Sequence, residues 1–254
     1  MEPVSSIAVL DADVYYPDTD GEPAAEGDIQ LTYLLYCREA LRLWFSASSD
    51  VYVTGNLLFY YEKGNPKKSF APDVGVVFGV PNHERPSYKI WEEGKAPEVI
   101  IEITSRSTRR TDMNFKKGLY RDLGVSEYYL YDPCGDYLRP QLKAFSLDEI
   151  GLYIDVRPVV IASDAFMVYS PTLDLELRVE GGRLRLFDRE SGHYLLSTKE
   201  LDELATAQAE ARFDAERRAE AAERKAEAAE RTIAALMQEL ETLKDRESGV
   251  RSEL

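Results

Sequence analysis

Histidine and cysteine are scarce, with two of each in 254 residues. A zinc cage, or any mechanism that needs several imidazoles, is thereby excluded in practice. Cys37 and Cys134 stand far apart and form no CxxC pair. They give neither a metal motif nor a disulfide framework, as expected of a cytosolic chain. No stretch approaches the ~18 consecutive apolar residues of a membrane span. The opening residues, MEPVSSIAVLDADVYYPDTDGE, lack the basic start and long apolar centre of a signal peptide. The expectation is a cytoplasmic protein without a membrane partner. Glycine and proline are missing altogether between Thr198 and Glu247, which marks a long uninterrupted helix.

Positive charge is also in deficit. The net charge of −15 opposes a polyanionic partner over the chain as a whole. Yet Arg106 to Arg121 holds six basic residues against one acid, Asp112. The local sign near a site matters more than the total.

What is present divides into three parts: an acidic leader (1–27), a main domain (28–195) and a C-terminal helix (198–247). In the main domain a helix is expected from an Asp28 N-cap to Phe45, on an apolar stripe of Leu31, Leu34, Leu35, Leu41 and Phe45. VYVTGNLLFYY (51–61) reads as one or two strands. DVGVVFGV (73–80) and PEVIIEITS (97–105) read as buried strands. A helix capped by Thr111 or Asp112 runs to Leu123 and stops at Gly124. EYYLYD (127–132) is a further strand, and 152–190 is all β, with a hairpin folded at Gly181-Gly182. This order predicts an α/β domain with a mixed central sheet and flanking helices.

In the C-terminal helix, Ala205, Ala219, Ala226, Ile233 and Leu240 share one heptad position. Leu201, Ala215, Ala222, Ala229, Leu236 and Leu243 share another, and Gln208 and Arg212 interrupt the pattern. Apolar seams between charged flanks predict a coiled coil, with a homodimer as the expected partner state, parallel or antiparallel.

The chemistry centres on two carboxylates. Asp73 opens one apolar strand and Glu102 lies inside another, Val99-Ile100-Ile101-Glu102-Ile103. A carboxylate among aliphatics is costly to bury unpaired. Two of them on neighbouring strands could share a hard cation such as Mg²⁺, with Mn²⁺ as an alternative. A nearby lysine would complete a phosphodiester-cleaving site by orienting or helping to deprotonate the attacking water and by offsetting charge on the scissile phosphate. The plainer alternative is a salt-bridged Glu102, and Glu98 competes with it at period-two spacing.

The blocks SFAPDVGVVFGV, WEEGKAPEVIIEITSRSTRRTD and FKKGLYRDLGVSEYYLYDP resemble the Uma-two family of restriction-endonuclease-like proteins, in the PD-(D/E)XK nuclease superfamily. The resemblance spans about Gln30 to Gly192. It implies a restriction-endonuclease-like fold, a DNA substrate, and metal ligation by Asp73, Glu102 and the Ile103 carbonyl. The superfamily pattern puts a lysine two residues after the glutamate, where this chain has Thr104. The family's helical lysine, four residues before a tyrosine, falls on Lys116 with Tyr120 downstream. Asp73, Glu102 and Lys116 are thus the expected catalytic set. Arg109, Arg110 and Tyr120 are candidate substrate contacts, and Gln30 is a further candidate from the first helix. Ser105, Ser107 and Thr108 suit a turn. Two functions fit: an Mg²⁺-dependent DNA endonuclease, or a non-catalytic protein on a nuclease fold that acts through its coiled coil.

Overall fold

The structure, a computed structural model, describes residues 14–17 and 27–251, with side chains as far as Glu241. The acidic leader, 1–27, lies outside the described residues except at 14–17 and Gly27. At 14–17 the chain is anchored. Tyr16 packs on Tyr60 and Trp91 at ring-centroid distances of 5.1 and 5.2 Å, and its hydroxyl accepts the Gly64 N–H at 2.6 Å.

The chain divides after Thr198 into two units. The first begins with α1 (Asp28–Trp44), capped by Gly27, so Asp28 is the first helical residue and not the cap expected of it. Its buried face is Leu34, Cys37, Ala40 and Leu41. Centring the face on Cys37 and Leu41 rotates Leu31 and Leu35 out to solvent. There follow β1 (Val51–Thr54), β2 (Phe59–Tyr60), β3 (Ser69–Phe70), β4 (Val74–Phe78), β5 (Tyr88–Lys89), the short α2 (Ile90–Glu93) and β6 (Val99–Ile103). A π-helical turn, Thr111–Lys116, runs directly into α3 (Lys117–Asp122). Then come β7 (Glu127–Tyr131), β8 (Leu142–Leu147), β9 (Tyr153–Val156), β10 (Val159–Ala162), β11 (Ala165–Ser170), β12 (Leu175–Glu180), β13 (Arg183–Asp188) and β14 (His193–Tyr194).

The central sheet has the order β1-β4-β6-β7-β8-β9. Only β6 and β7 pair in parallel, and the π turn with α3 is the crossover between them. The sheet is mixed, and β6 is buried along its whole length. That accounts for its continuous apolar run, since a strand covered on both faces loses the polar alternation.

The two faces differ in chemistry. Val99, Ile101 and Ile103 of β6 point into an aliphatic layer shared with α1 and with Leu175, Leu177 and Leu186 of the second sheet, order β10-β11-β12-β13-β14. Ile100 points into an aromatic layer under α3, with Tyr120, Tyr128, Phe145, Phe59 and Tyr88. Strand alternation puts Glu102 on this aromatic side. The β12–β13 hairpin turns at Gly181 and Gly182, both at positive φ (53° and 76°), as a two-residue primed turn requires.

The second unit is α4, 54 residues from Thr198 to Arg251. Its described side chains from Leu201 to Glu241 are exposed throughout. No described helix is long and apolar enough to cross a membrane.

Candidate active site

The site grows from the ends of β4 and β6. These strands pair antiparallel with Val74 opposite Ile101, so Asp73, one residue earlier, stands opposite Glu102. Asp73 is half-buried, and its Oδ2 accepts the Ile103 N–H at 2.6 Å. This bond ties the end of β4 to the last residue of β6.

Glu102 is almost fully buried, and each of its oxygens has a partner. Tyr120 donates its hydroxyl to Oε1 at 2.6 Å, and the Lys116 ammonium lies 2.9 Å from Oε2. The same ammonium is 3.5 Å from Oδ1 of Asp112. Thr104 donates its hydroxyl to Asp112 Oδ2 at 2.7 Å, and Tyr128 donates to the Asp112 backbone carbonyl at 3.1 Å. Exposure separates the members: the Lys116 side chain is 20% exposed and that of Glu102 only 2%. The ammonium is therefore the part of the pair that solvent reaches.

The winding of the helix aligns these groups. Asp112, Lys116 and Tyr120 are spaced by four residues. In an α-helix the fourth residue overshoots a full turn, by about 40°. In a π turn, with its i→i+5 bonds, a turn holds more than four residues and the fourth falls short. The π turn lies between Asp112 and Lys116, and mainly α-helix lies between Lys116 and Tyr120. The two drifts have opposite sign, and all three side chains meet the end of β6. The helical run also starts before the predicted cap: Arg109 N–H bonds the Ser105 carbonyl and Asp112 N–H bonds that of Thr108. Asp112 is consequently interior and buried, and it caps nothing. The capping turn is Ser105 to Thr108, where Ser105 N–H donates to Thr108 Oγ1 at 3.1 Å.

Three carboxylates share one ammonium, and the electrostatics follow that imbalance. Burial pushes the Glu102 carboxyl above the usual glutamate range, although Lys116 pulls the other way. Burial alone would lower the Lys116 pKa, but the charges of Glu102, Asp112 and Asp73 outweigh it and hold the ammonium above its ordinary value. Burial and the neighbouring Glu102 raise Tyr120 well above a free phenol, so it stays a hydrogen-bond donor. Among the described residues no cluster of three or more His, Cys, Asp or Glu is arranged as a cage for a metal ion. The donor set of Asp73 and Glu102 is nonetheless all hard oxygen with surplus negative charge, which suits a cation needing one or two carboxylates and completing its shell with water and phosphate.

Tyr120 is completely buried. Its hydroxyl, a candidate substrate contact from the sequence, is engaged by Glu102. Arg109 and Arg110 do not touch the carboxylates. They are exposed and line an open groove of about 680 Å³ with Tyr137, Arg139, Lys143 and Arg157. Tyr137 links groove and cluster, since its hydroxyl bonds Thr104 Oγ1. The rest of the basic stretch scatters: Lys117 lies 3.8 Å over the Phe145 ring, and Arg121 pairs with Asp122 at 2.7 Å. Glu98, the rival of Glu102, takes the Phe78 N–H at 2.9 Å and pairs with Lys95. That contact fastens the far end of β6. Gln30 lies half-buried on α1 and is not among the partners of the cluster.

A family model, Uma2, described as "Putative restriction endonuclease", matches residues 21–214. The chain belongs to the Uma2 family. No curated protein matches it. Among solved structures, a crystal structure of a "putative nuclease belonging to DUF820" from Anabaena variabilis ATCC 29413 is similar at 15% identity and a TM-score of 0.41, over 58% of this chain and 75% of that one. The Uma2 match takes in the whole of the cluster, from Asp73 to Tyr120. Two of its members escaped sequence reasoning. Asp112 was hidden as the lone acid in a basic stretch, and its spacing of four before Lys116 was the one partial signal. Thr104 counted as a missing lysine, and it is the donor that holds Asp112.

Proposed function

We propose that this Uma2 protein is a divalent-cation-dependent nuclease that hydrolyses phosphodiester bonds in DNA. The observation that carries the reading is Lys116, a protonated and partly exposed ammonium, fixed by Glu102 and Asp112 beside the strand end that bears Asp73. Asp73, Glu102 and the Ile103 carbonyl would hold Mg²⁺ or Mn²⁺. When bound, such a cation polarises phosphoryl oxygens and offsets their charge. Lys116 keeps its proton through the neutral range. Its task is therefore to donate to a phosphate oxygen and to orient the attacking water, not to deprotonate it. Tyr120 fixes the Glu102 carboxylate in place. Thr104 and Asp112 hold the lysine from the other side. Arg109 and Arg110, in the groove beyond Tyr137, are placed to meet backbone phosphate.

The test is cleavage of single-stranded, duplex and supercoiled DNA with Mg²⁺, Mn²⁺ or chelator. Metal-dependent cutting should fall by at least about a hundredfold in Asp73→Ala and in Lys116→Gln, on the scale of losing a transition-state charge contact. Cutting that survives Asp73→Ala would show a contaminant or a different site.

The second reading, a non-catalytic nuclease fold that assembles through its helix, has its own support. Both Glu102 oxygens are already engaged, and the net charge is −15. Absence of cutting on every DNA form, with the fold intact, would favour it.

A further inference from the structure

The charges of α4 are not distributed at random around its apolar stripe. With Ile233 and Leu240 at heptad position a and Leu236 at d, four ion pairs that α4 makes within itself lie on the outer face. Lys199–Glu203 (3.7 Å), Asp214–Arg217 (4.0 Å), Glu220–Arg224 (3.5 Å) and Glu227–Arg231 (3.2 Å) occupy positions b, c and f. These are i,i+3 and i,i+4 neighbours, which stabilise a helix on its own. The charges that flank the stripe behave differently. Glu216, Glu223 and Glu230 fall at e, and Arg218 and Lys225 at g, and among the described residues none of them has an ion-pair partner. Ile233, Leu236 and Leu240 between them are each more than half exposed.

We infer that α4 pairs with α4 of a second copy as a parallel, in-register, two-stranded coiled coil over Ala215 to Leu240. In a parallel pair, position g of one helix meets e of the next heptad on the other. Arg218 then faces Glu223 of the second copy, and Lys225 faces Glu230. The two-fold axis repeats both contacts. An antiparallel pair sets e against e and g against g, so it opposes glutamate to glutamate and Arg218 to Lys225. A β-branched residue at a with leucine at d, as at Ile233 and Leu236, favours two strands over three. The alanines at 215, 219, 222, 226 and 229 add little buried area but allow close approach, and the hydrophobic anchor is the Ile233–Leu240 end. The outer-face pairs leave the flanking charges as the selectors of partner and direction. This inference does not rest on the nuclease reading.

The experiment uses the full chain and its charge-swapped variants, with mass and dissociation constant from sedimentation equilibrium. The parent should be a dimer at tens of micromolar, a concentration at which weak coiled coils still pair. E223R/E230R turns four attractions into repulsions, and the dimer should dissociate at least about tenfold more readily. R218E/K225E should do the same. An equimolar mixture of the two variants should restore a dimer of one chain of each kind. A monomeric or trimeric parent overturns the inference. So does an E223R/E230R variant that pairs at least as tightly as the parent, because in an antiparallel pair like charge would face like charge before and after the swap. Failure of the mixture to recover pairing overturns it as well.

Discussion

Lys116 and Glu102 each hold their proton more tightly than the free side chains do, because three acids surround one base. Replacing Lys116 with methionine removes the ammonium beside Glu102 and leaves Glu102 buried. The cost at neutral pH should be at most the roughly 3–5 kcal/mol of a broken buried pair, since Glu102 can relieve it by taking up a proton. The sign of the pH dependence follows. A carboxyl whose folded pKa is raised adds stability below its unfolded value, about 4.3, and that stability is lost as pH rises through the folded value. Without Lys116 the folded value climbs further. The thermal midpoint of Lys116→Met should therefore drop away from the parent's as pH rises from about 5 to about 8, and the two should converge on the acid side. A gap of equal size at both ends would mean that Glu102 is not the group left stranded.

At the scale of the element, the π turn is what lets a lysine on a helix serve a glutamate on a strand. Deleting Asn114, which is exposed, removes one residue from the wide turn and allows it to relax to α-helix. With three α-helical steps in place of four wide ones, Asp112 would fall about 60° short of a full turn from Lys116, further out of line than the π turn leaves it. The expected result is a folded protein with an unchanged circular dichroism spectrum and any nuclease activity down at least about tenfold, as small displacements of catalytic groups produce. Full activity would show that the alignment of Asp112 is irrelevant. This turn also marks the limit of what could be read in advance. The strands declared themselves: Val99 to Ile103 is an unbroken apolar run because both faces of β6 are covered, and Gly181-Gly182 sits at the one place where two positive φ angles are needed. The nearness of Lys116 to Glu102 was legible through the family pattern, as was the placing of Lys116 and Tyr120 on one helix face. Asp112 was not. An α-helical template places it about 80° from Tyr120, and nothing local announces a π turn. Which leucines of α1 turn inward was equally hidden, since that depends on where Cys37 meets the sheet.

For the molecule as a whole, the opposition is between a net charge of −15 and a groove carrying Arg109, Arg110, Arg139, Lys143 and Arg157. The global field repels DNA and the groove attracts it over the few ångströms that salt leaves unscreened. Binding to a short duplex should be weak near 0.15 M salt and strengthen steeply as salt is lowered. Arg109→Glu/Arg110→Glu should reduce the slope of log K against log salt by about two, one for each lost phosphate contact. An unchanged slope would remove these arginines from the interface. Of the groups in the cluster, all but Asp73 come from a single βα unit, from Glu102 on the strand to Tyr120 on the helix that follows. A unit of that kind can be inherited, exchanged or lost in one event, and its decay needs no change elsewhere in the fold. In a descendant of this chain, the fate of the chemistry would therefore be written in one short stretch, and the scaffold around it could persist for other uses.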